Sequence, residues 1–597
     1  MVTETEQPQQ GPPENMPIAS TNGVMPVPLD ETTVEPQPPH EPEYIQEGQA
    51  RIAVNSDVFY NNVQEFNRDL SIAVISTWLQ YDPTQSQPSK TAKKSPFRKS
   101  ADARRGTILE ALSATGLRSL RYAKEIPSVG LITANDMDAS AVQAIKHNMA
   151  LNDIRDTMMK VSHSDANQVM YEALLAKKPY SIVDLDPFGT ASPFIDAAVQ
   201  AVASGGLLCV TCTDMSVLCG NHTEVCFEKY GGTAIAGTPF CHEAALRLVL
   251  HSIQSSAARY KRCIVPLLSM SIDFYCRVFV AVYDSPAQTK FAASNTILMY
   301  VCMECKSFET QRLGKAISMP NNTWKFGAAS GPTVPQKCVH CDSNYHVGGP
   351  LYAGKLYEEL FVQQLLGYLK ERGVAERYKT HARMFGMLTV VSEELSDELF
   401  YYEVPRLSSS VKSSTPPHPA FCSALLNAGY QVSSSHASRN SVKTNAPSHI
   451  VWDVMRAWVK AHPLAKTPAE NSIAAKILSK EPSIEVSFAH HPLSEPPSRK
   501  FKLVRFEIPP PNSGPKARPA KAAKRKNEGN NPQQGNKKKK QKRAESGFNS
   551  TAAATPSEAQ ESPEETVGGA ERQQHDAMNG DPANDEDVNG HMEVDEP

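Results

Sequence analysis

Between Ile108 and Cys212 the chain alternates short β-branched apolar runs with amphipathic segments, and no other feature restricts its fold as strongly. Strand candidates at Ile108–Leu112, Leu131–Ala134, Met159–Ser162, Ile182–Leu185 and Leu207–Cys212 are separated by helix candidates at Gly116–Lys124, Ser140–Asn152, Ala166–Ala176 and Pro193–Ala203. Apolar strands that take turns with helices are buried on both faces, so a doubly wound, mostly parallel α/β sheet is expected. A helix around Glu243–Arg259 follows, then two runs, Ile264–Met270 and Phe274–Tyr283. Only a few residues separate these runs, so they should pair antiparallel at the sheet edge.

Open α/β sheets bind ligands at the carboxyl ends of their strands, and polar residues collect there in this sequence. The run Ile182-Val-Asp-Leu-Asp186-Pro187-Phe188-Gly189 ends an apolar strand in two acids, a proline and a glycine. Pro187 keeps Asp186 extended, and Gly189 permits a turn that a Cβ would resist. A fixed carboxylate beside an aromatic ring suits a flat heterocycle carrying N–H donors. Upstream, Glu110-Ala-Leu-Ser-Ala-Thr-Gly116-Leu-Arg118 turns the first strand into the first helix. It lacks the Lys-Ser/Thr ending of a nucleotide triphosphatase loop and the three glycines of a dinucleotide fingerprint. The second strand ends in Asn135-Asp136, where an acid can bind ribose hydroxyls, and the third in Ser164-Asp165-Ala166, placed to meet an adenine. Acids on successive strand ends without phosphate-binding features indicate a nucleoside cofactor lacking pyrophosphate, which S-adenosylmethionine satisfies. An Asp after a strand is also an ordinary helix N-cap, and Asp165 fits that role too.

Taken together, Phe-Asn-Arg-Asp (66–69), Ser-Ala-Thr-Gly-Leu-Arg (113–118), Asn-Asp (135–136), Asp-Ala-Asn (165–167) and Asp-Leu-Asp-Pro-Phe-Gly (184–189) closely resemble the tRNA guanine-26 dimethyltransferase family. The resemblance implies a Rossmann-like class I methyltransferase domain that acts on tRNA. It implies that Arg68, Arg118, Asp136, Asp165 and Ala166 contact S-adenosylmethionine and that Asp186 is the catalytic carboxylate. Phe188 is then expected to flank the guanine ring. Guanine amine methylation on another RNA, or RNA binding without catalysis, are the alternative readings.

Two C-x-x-C pairs, Cys302/Cys305 and Cys338/Cys341, have the ligand types of a structural zinc site, with His340 and His346 as competing ligands. The remaining cysteines are scattered in apolar context, as reduced thiols are. The chain is expected to divide into an acidic, disordered segment 1–45, a methyltransferase domain 46–287, a smaller α+β zinc-containing domain 288–508 that engages tRNA, and a disordered tail 509–597. A flexible basic insertion, 80–105, carries seven Lys or Arg. Residues 407–419 and 432–445 read as Ser-rich linkers.

The net charge of -3 conceals strong segregation. Residues 516–543 hold twelve Lys or Arg against one acid, and residues 544–597 hold fourteen acids and one Arg. Such a basic block reads as a nuclear address or an RNA contact. Residues 1–50 contain nine acids and no Lys or Arg, which argues against a mitochondrial presequence. No apolar run reaches the length of a membrane span. The expected partner is tRNA, with the chain acting as a nuclear monomer.

Overall fold

The computed structural model describes residues 43–54, 60–85, 95–321 and 323–506. The acidic start, residues 86–94 of the basic insertion and the basic-then-acidic tail lie outside them.

Seven strands form the central sheet: β3 (Ile108–Glu110), β4 (Ile132–Asp136), β5 (Met159–His163), β6 (Tyr180–Leu185), β7 (Val202–Cys212), β8 (Arg262–Ile272) and β9 (Tyr275–Asp284). A hairpin of β1 (Glu43–Glu47) and β2 (Ala50–Val54) precedes them. The sheet order is β5-β4-β3-β6-β7-β9-β8. From β5 to β7 all neighbours are parallel, while β9 runs antiparallel to β7 and to β8. The expected hairpin therefore forms, with its first strand at the edge and its second inside the sheet. Strand order reverses between β3 and β6, which opens a crevice at their carboxyl ends.

Helices cover both faces. The most deeply placed is α1 (Glu65–Gln80), whose residues Glu65 to Trp78 are all buried. Helix α2 (Leu117–Glu125) follows β3 through Gly116, which takes the left-handed conformation at φ 77°. A Cβ there would lie 3.2 Å from the side chain of Ile145, so glycine serves both the turn and the close packing.

The core of the sheet continues past Tyr283 through Leu351, Phe361, Leu388 and Tyr401, drawing helices Glu359–Leu369 and His381–Glu393 onto the sheet domain. A second core gathers the four paired cysteines with Val404, Phe421, Val442 and Trp452. Two contacts tie these helices to α1. Asp69 accepts from the N–H and hydroxyl of Thr380 at 3.1 and 2.7 Å, and Lys379 reaches Glu65 at 2.8 Å.

Of the Ser-rich linkers expected at 407–419 and 432–445, only residues 412–417 of the first are irregular, and the second is mostly strand. Val404–Val411 and His418–Asn427 are helices, and Val432–Ser435 pairs with Ser438–Thr444 as an antiparallel hairpin. Its polar residues are inside because they have partners. The Ser441 hydroxyl bonds Ser435 N–H and Ser438 C=O, both at 2.8 Å. Buried Lys443 pairs with Glu243 at 3.0 Å and Glu394 at 3.5 Å. Residues 95–105 of the basic insertion pack on the sheet domain, where the Lys99 ammonium sits 4.0 Å over the Trp78 ring.

Candidate active site

At the β3/β6 crevice the sequence-predicted residues come together with several that pattern reading missed. Asp186 directly follows β6, half-buried, and its Oδ2 meets the Arg118 guanidinium and lies 3.4 Å from Asn67 Nδ2. Among the described residues both of these contacts fall on one oxygen. Phe188, two residues on, is 87% exposed. The turn carrying it is fixed from the neighbouring strand: Gly189 N–H donates to Thr213 Oγ1 at 2.9 Å, and Thr213 N–H returns to Gly189 C=O at 2.8 Å.

Beneath Asp186 lies a fully buried ionic layer. Arg277, the third residue of β9, forks onto both oxygens of Asp184 at 2.8 and 2.9 Å. Tyr122 donates to the same carboxylate at 2.6 Å, and Arg118 Nη1 stands 3.8 Å away. Burial alone would raise Asp184, but Arg277 and Arg118 hold its carboxyl below the usual range. Glu110 has weaker help. Burial pushes it up to about 7 despite Arg118 at 3.4 Å and the Ser119 hydroxyl at 2.5 Å. Ser71 of α1 bridges the two cations, accepting from Arg118 at 3.1 Å and Arg277 at 2.8 Å. Arg118 thus meets Glu110, Asp184 and Asp186 at once, and the layer holds the half-buried Asp186 carboxylate in place.

Arg68 is buried and forks onto Glu47 of β1 at 2.6 and 2.5 Å. Burial raises the Glu47 carboxyl, yet Arg68 and Arg121 outweigh that and hold it at about 2. On the other side of the crevice, Asp136 accepts from Ala114 N–H at 2.8 Å and Asp138 N–H at 3.0 Å, drawing the β3–α2 turn toward the end of β4. Asp165 caps its helix, accepting from the N–H groups of Asn167 and Gln168. Ala166 beside it is 4% exposed. Among the described residues, Asn135 Oδ1, Ser164 Oγ and Asn167 Oδ1 are buried without a hydrogen-bond partner. Buried polar atoms ordinarily have one, so this row of strand ends is shaped for a polar guest.

Of the missed residues, Arg277 left a signal: an arginine inside an otherwise apolar strand needs a buried counter-charge. Asn67 falls inside the Phe-Asn-Arg-Asp motif without a role of its own being read there, while Tyr122 and Glu47 left no signal, since nothing in their surroundings distinguishes them from surface residues.

A family model described as N2,N2-dimethylguanosine tRNA methyltransferase matches residues 41–456. The chain belongs to this family. A Schizosaccharomyces pombe tRNA (guanine(26)-N(2))-dimethyltransferase is 44% identical to this dimethylguanosine methyltransferase family member over 514 residues, covering 80% of this chain and 92% of the relative. The Homo sapiens protein of the same name is 40% identical over 522 residues, covering 81% and 79%. Trm1 from Pyrococcus horikoshii, solved with S-adenosyl-L-methionine, superposes with a TM-score of 0.56 at 25% identity, covering 69% of this chain and 99% of that one.

This family member also carries a four-cysteine cluster. The sulfurs of Cys302, Cys305, Cys338 and Cys341 are all buried and lie within 4.8 Å of one another. Tetrahedral thiolates around zinc stand about 3.8 Å apart at the usual bond length, so the donor set fits that ion. His340 is turned away, with Nε2 2.9 Å from Ser448 Oγ, and His346 is exposed. The pairs are built as tight turns: Cys302 N–H donates to Ser307 C=O at 2.8 Å, and Cys338 N–H to Ser343 C=O at 2.8 Å. Trp452 Nε1 bonds Ser307 Oγ at 2.7 Å, which packs the second core against the cluster.

Proposed function

We propose that this chain transfers methyl groups from S-adenosylmethionine to the exocyclic amine of guanine at position 26 of tRNA, giving dimethylguanosine. The observation that carries the reading is the half-buried Asp186 carboxylate at the end of β6, held on one oxygen by Arg118 and Asn67 and followed two residues later by the exposed Phe188. The guanine amine is a poor nucleophile because its lone pair is conjugated into the ring. Asp186 Oδ1 accepts a hydrogen bond from that amine, favours the positive charge that develops on nitrogen, and takes the proton as the new bond forms. Phe188 flanks the extruded base, whose unstacking costs a few kcal/mol.

Methyl transfer is an in-line displacement, so the protein's remaining task is alignment. We assign that task to the row of strand ends. The cofactor, when bound, supplies an activated methyl group. Asp136 is placed for the ribose hydroxyls, and Asp165 with Ala166 for the adenine. Arg68 and Arg118, committed to Glu47 and Asp186, line the same crevice and contribute charge and shape. The cysteine cluster holds a structural zinc, since four protein ligands leave no open position for chemistry.

We read residues 288–508 as the part that engages tRNA and the block 516–543 as a nuclear address. The Saccharomyces cerevisiae relative is named as mitochondrial, and imaging of a tagged chain with and without that block distinguishes the two. The function is tested by incubating unmodified tRNA with the protein and labelled methyl donor, then identifying the product nucleoside by mass. Dimethylguanosine is expected at position 26, and label on a ring nitrogen or on another base would overturn the reading.

A further inference from the structure

A basic hollow lies away from the methyl-transfer crevice, between helix His381–Glu393 and the last described segment of the chain. It encloses about 300 Å³, and Arg439, Arg499 and Arg505 contribute to its wall together with His418. One acid, Glu393, lies among its lining residues. That carboxylate is already committed, accepting from the Ser498 N–H at 2.9 Å and from the Ser498 hydroxyl at 2.5 Å. Arg499 also reaches Glu495 at 3.6 Å, but both side chains are half-exposed, so solvent screens the pair. Nε2 of His418 is spent on Ser441 C=O at 3.2 Å. Burial depresses the Arg505 guanidinium, and Arg439 and Arg499 depress it further.

The arginines are held in this unfavourable proximity by the fold. The Arg439 guanidinium lies 4.7 Å over the Phe506 ring and that of Arg505 lies 5.4 Å over it. The backbone behind them is seated on Gly386, where a Cβ would come within 2.2 Å of Val504 O. Arg383 Nε donates to Arg505 C=O at 3.1 Å, and the same guanidinium bonds Asp273 at 2.7 Å and stacks 4.8 Å over Phe66. Phe66 precedes Asn67, which reaches Asp186. Hollow and carboxylate are therefore fixed to one packed set of side chains.

Convergent guanidiniums with one pre-empted acid form a receptor for a phosphate group, whose oxygens match their planar forks. The sequence favours a polymeric ligand: Phe506 is followed ten residues later by the start of the block with twelve Lys or Arg. We propose that the hollow walled by Arg439, Arg499 and Arg505 binds a backbone phosphate of the RNA substrate while its guanine occupies the Asp186 crevice. This rests on the tRNA reading above and adds a distinct anchoring point to it.

The test uses the full chain and compares wild type with R439Q/R499Q, the charge-preserving R439K/R499K, and G386A. Affinity for unmodified tRNA is measured as a function of salt, alongside steady-state methylation, cofactor affinity and thermal unfolding. For R439Q/R499Q we expect roughly tenfold weaker tRNA binding and a log–log salt slope shallower by about one. Cofactor affinity, turnover at saturating tRNA and melting temperature should stay unchanged. R439K/R499K should keep the wild-type slope. G386A should raise the KM for tRNA with every charge retained, because Val504 must move. An active wild type whose tRNA KM and salt slope match those of R439Q/R499Q overturns the proposal. Calorimetric binding of inorganic phosphate that R439Q/R499Q loses, with tRNA affinity unaltered, overturns it in favour of a small-anion site. A wild type that methylates no tRNA removes the functional reading itself.

Discussion

Arg277 and Asp184 face each other across neighbouring regions of the sheet as a two-bonded ion pair with both side chains at 0% exposure. Neither touches solvent, and Arg118 links the pair to Asp186 above it. Breaking a buried pair leaves one uncompensated charge, which costs about 3–5 kcal/mol. Arg277→Leu is accordingly expected to lower the unfolding free energy by that amount in urea titrations, and Asp184→Asn by less, because Tyr122 keeps a partner. An unchanged midpoint for Arg277→Leu would show that the layer is not a unit.

Asp186 behaves differently because it is partly exposed. Asp186→Ala removes the group proposed to accept the amine proton while leaving the strand ends proposed to frame the cofactor. Turnover should fall by at least about 10²–10⁴-fold, with cofactor affinity by calorimetry within a few-fold of wild type. Loss of cofactor binding in this variant would move Asp186 from the substrate to the cofactor side.

Glu110 gives a pH dependence whose sign can be worked out. Its folded value of about 7 lies above the ordinary 4.5. The folded chain therefore holds a proton that the unfolded chain has lost between those values, and stability falls as pH rises through the window. The displacement corresponds to roughly 3 kcal/mol. Glu110→Gln cannot ionise, so its stability relative to wild type should improve by that order between pH 4.5 and 7.5. Parallel curves for the two proteins would place the titration elsewhere.

The cysteine cluster predicts about one zinc per chain in protein purified without chelator. Cys305→Ser should take the content below half and raise the exposure of Trp452, seen as a red shift in tryptophan emission. Since this core is separate from the sheet core, cofactor affinity should hold. Zinc-free protein with unaltered emission would make the cluster an incidental set of thiols.

The five parallel strands were legible because each buries both faces and so reads as an apolar run closed by turn residues. That Asp186, Asp136 and Asp165 stand at strand ends was legible for a related reason: a polar residue closing such a run marks where the strand leaves the core, although Asp165 also caps its helix. The β1–β2 hairpin was not, since Glu43–Val54 mixes apolar and polar residues about evenly and its key residue, Glu47, is buried only because Arg68 and Arg121 arrive from elsewhere in the chain. The hairpin at Val432–Thr444 failed for the same cause. Its serines and Lys443 suggest solvent, and only the distant Glu243 and Glu394 make their burial affordable. Local pattern reports what a segment prefers by itself, and these segments are decided by partners far along the sequence.

Helix α1 is enclosed on every side, and three consecutive residues point to different neighbours: Asn67 to Asp186, Arg68 to Glu47, Asp69 to Arg121 and Thr380. Each position advances the helix by about 100°. Adding or deleting a single residue before Asn67 would swing all three onto the wrong neighbours together. The rod therefore works like the bitted edge of a key, where one substitution spoils one notch but a change in length spoils them all.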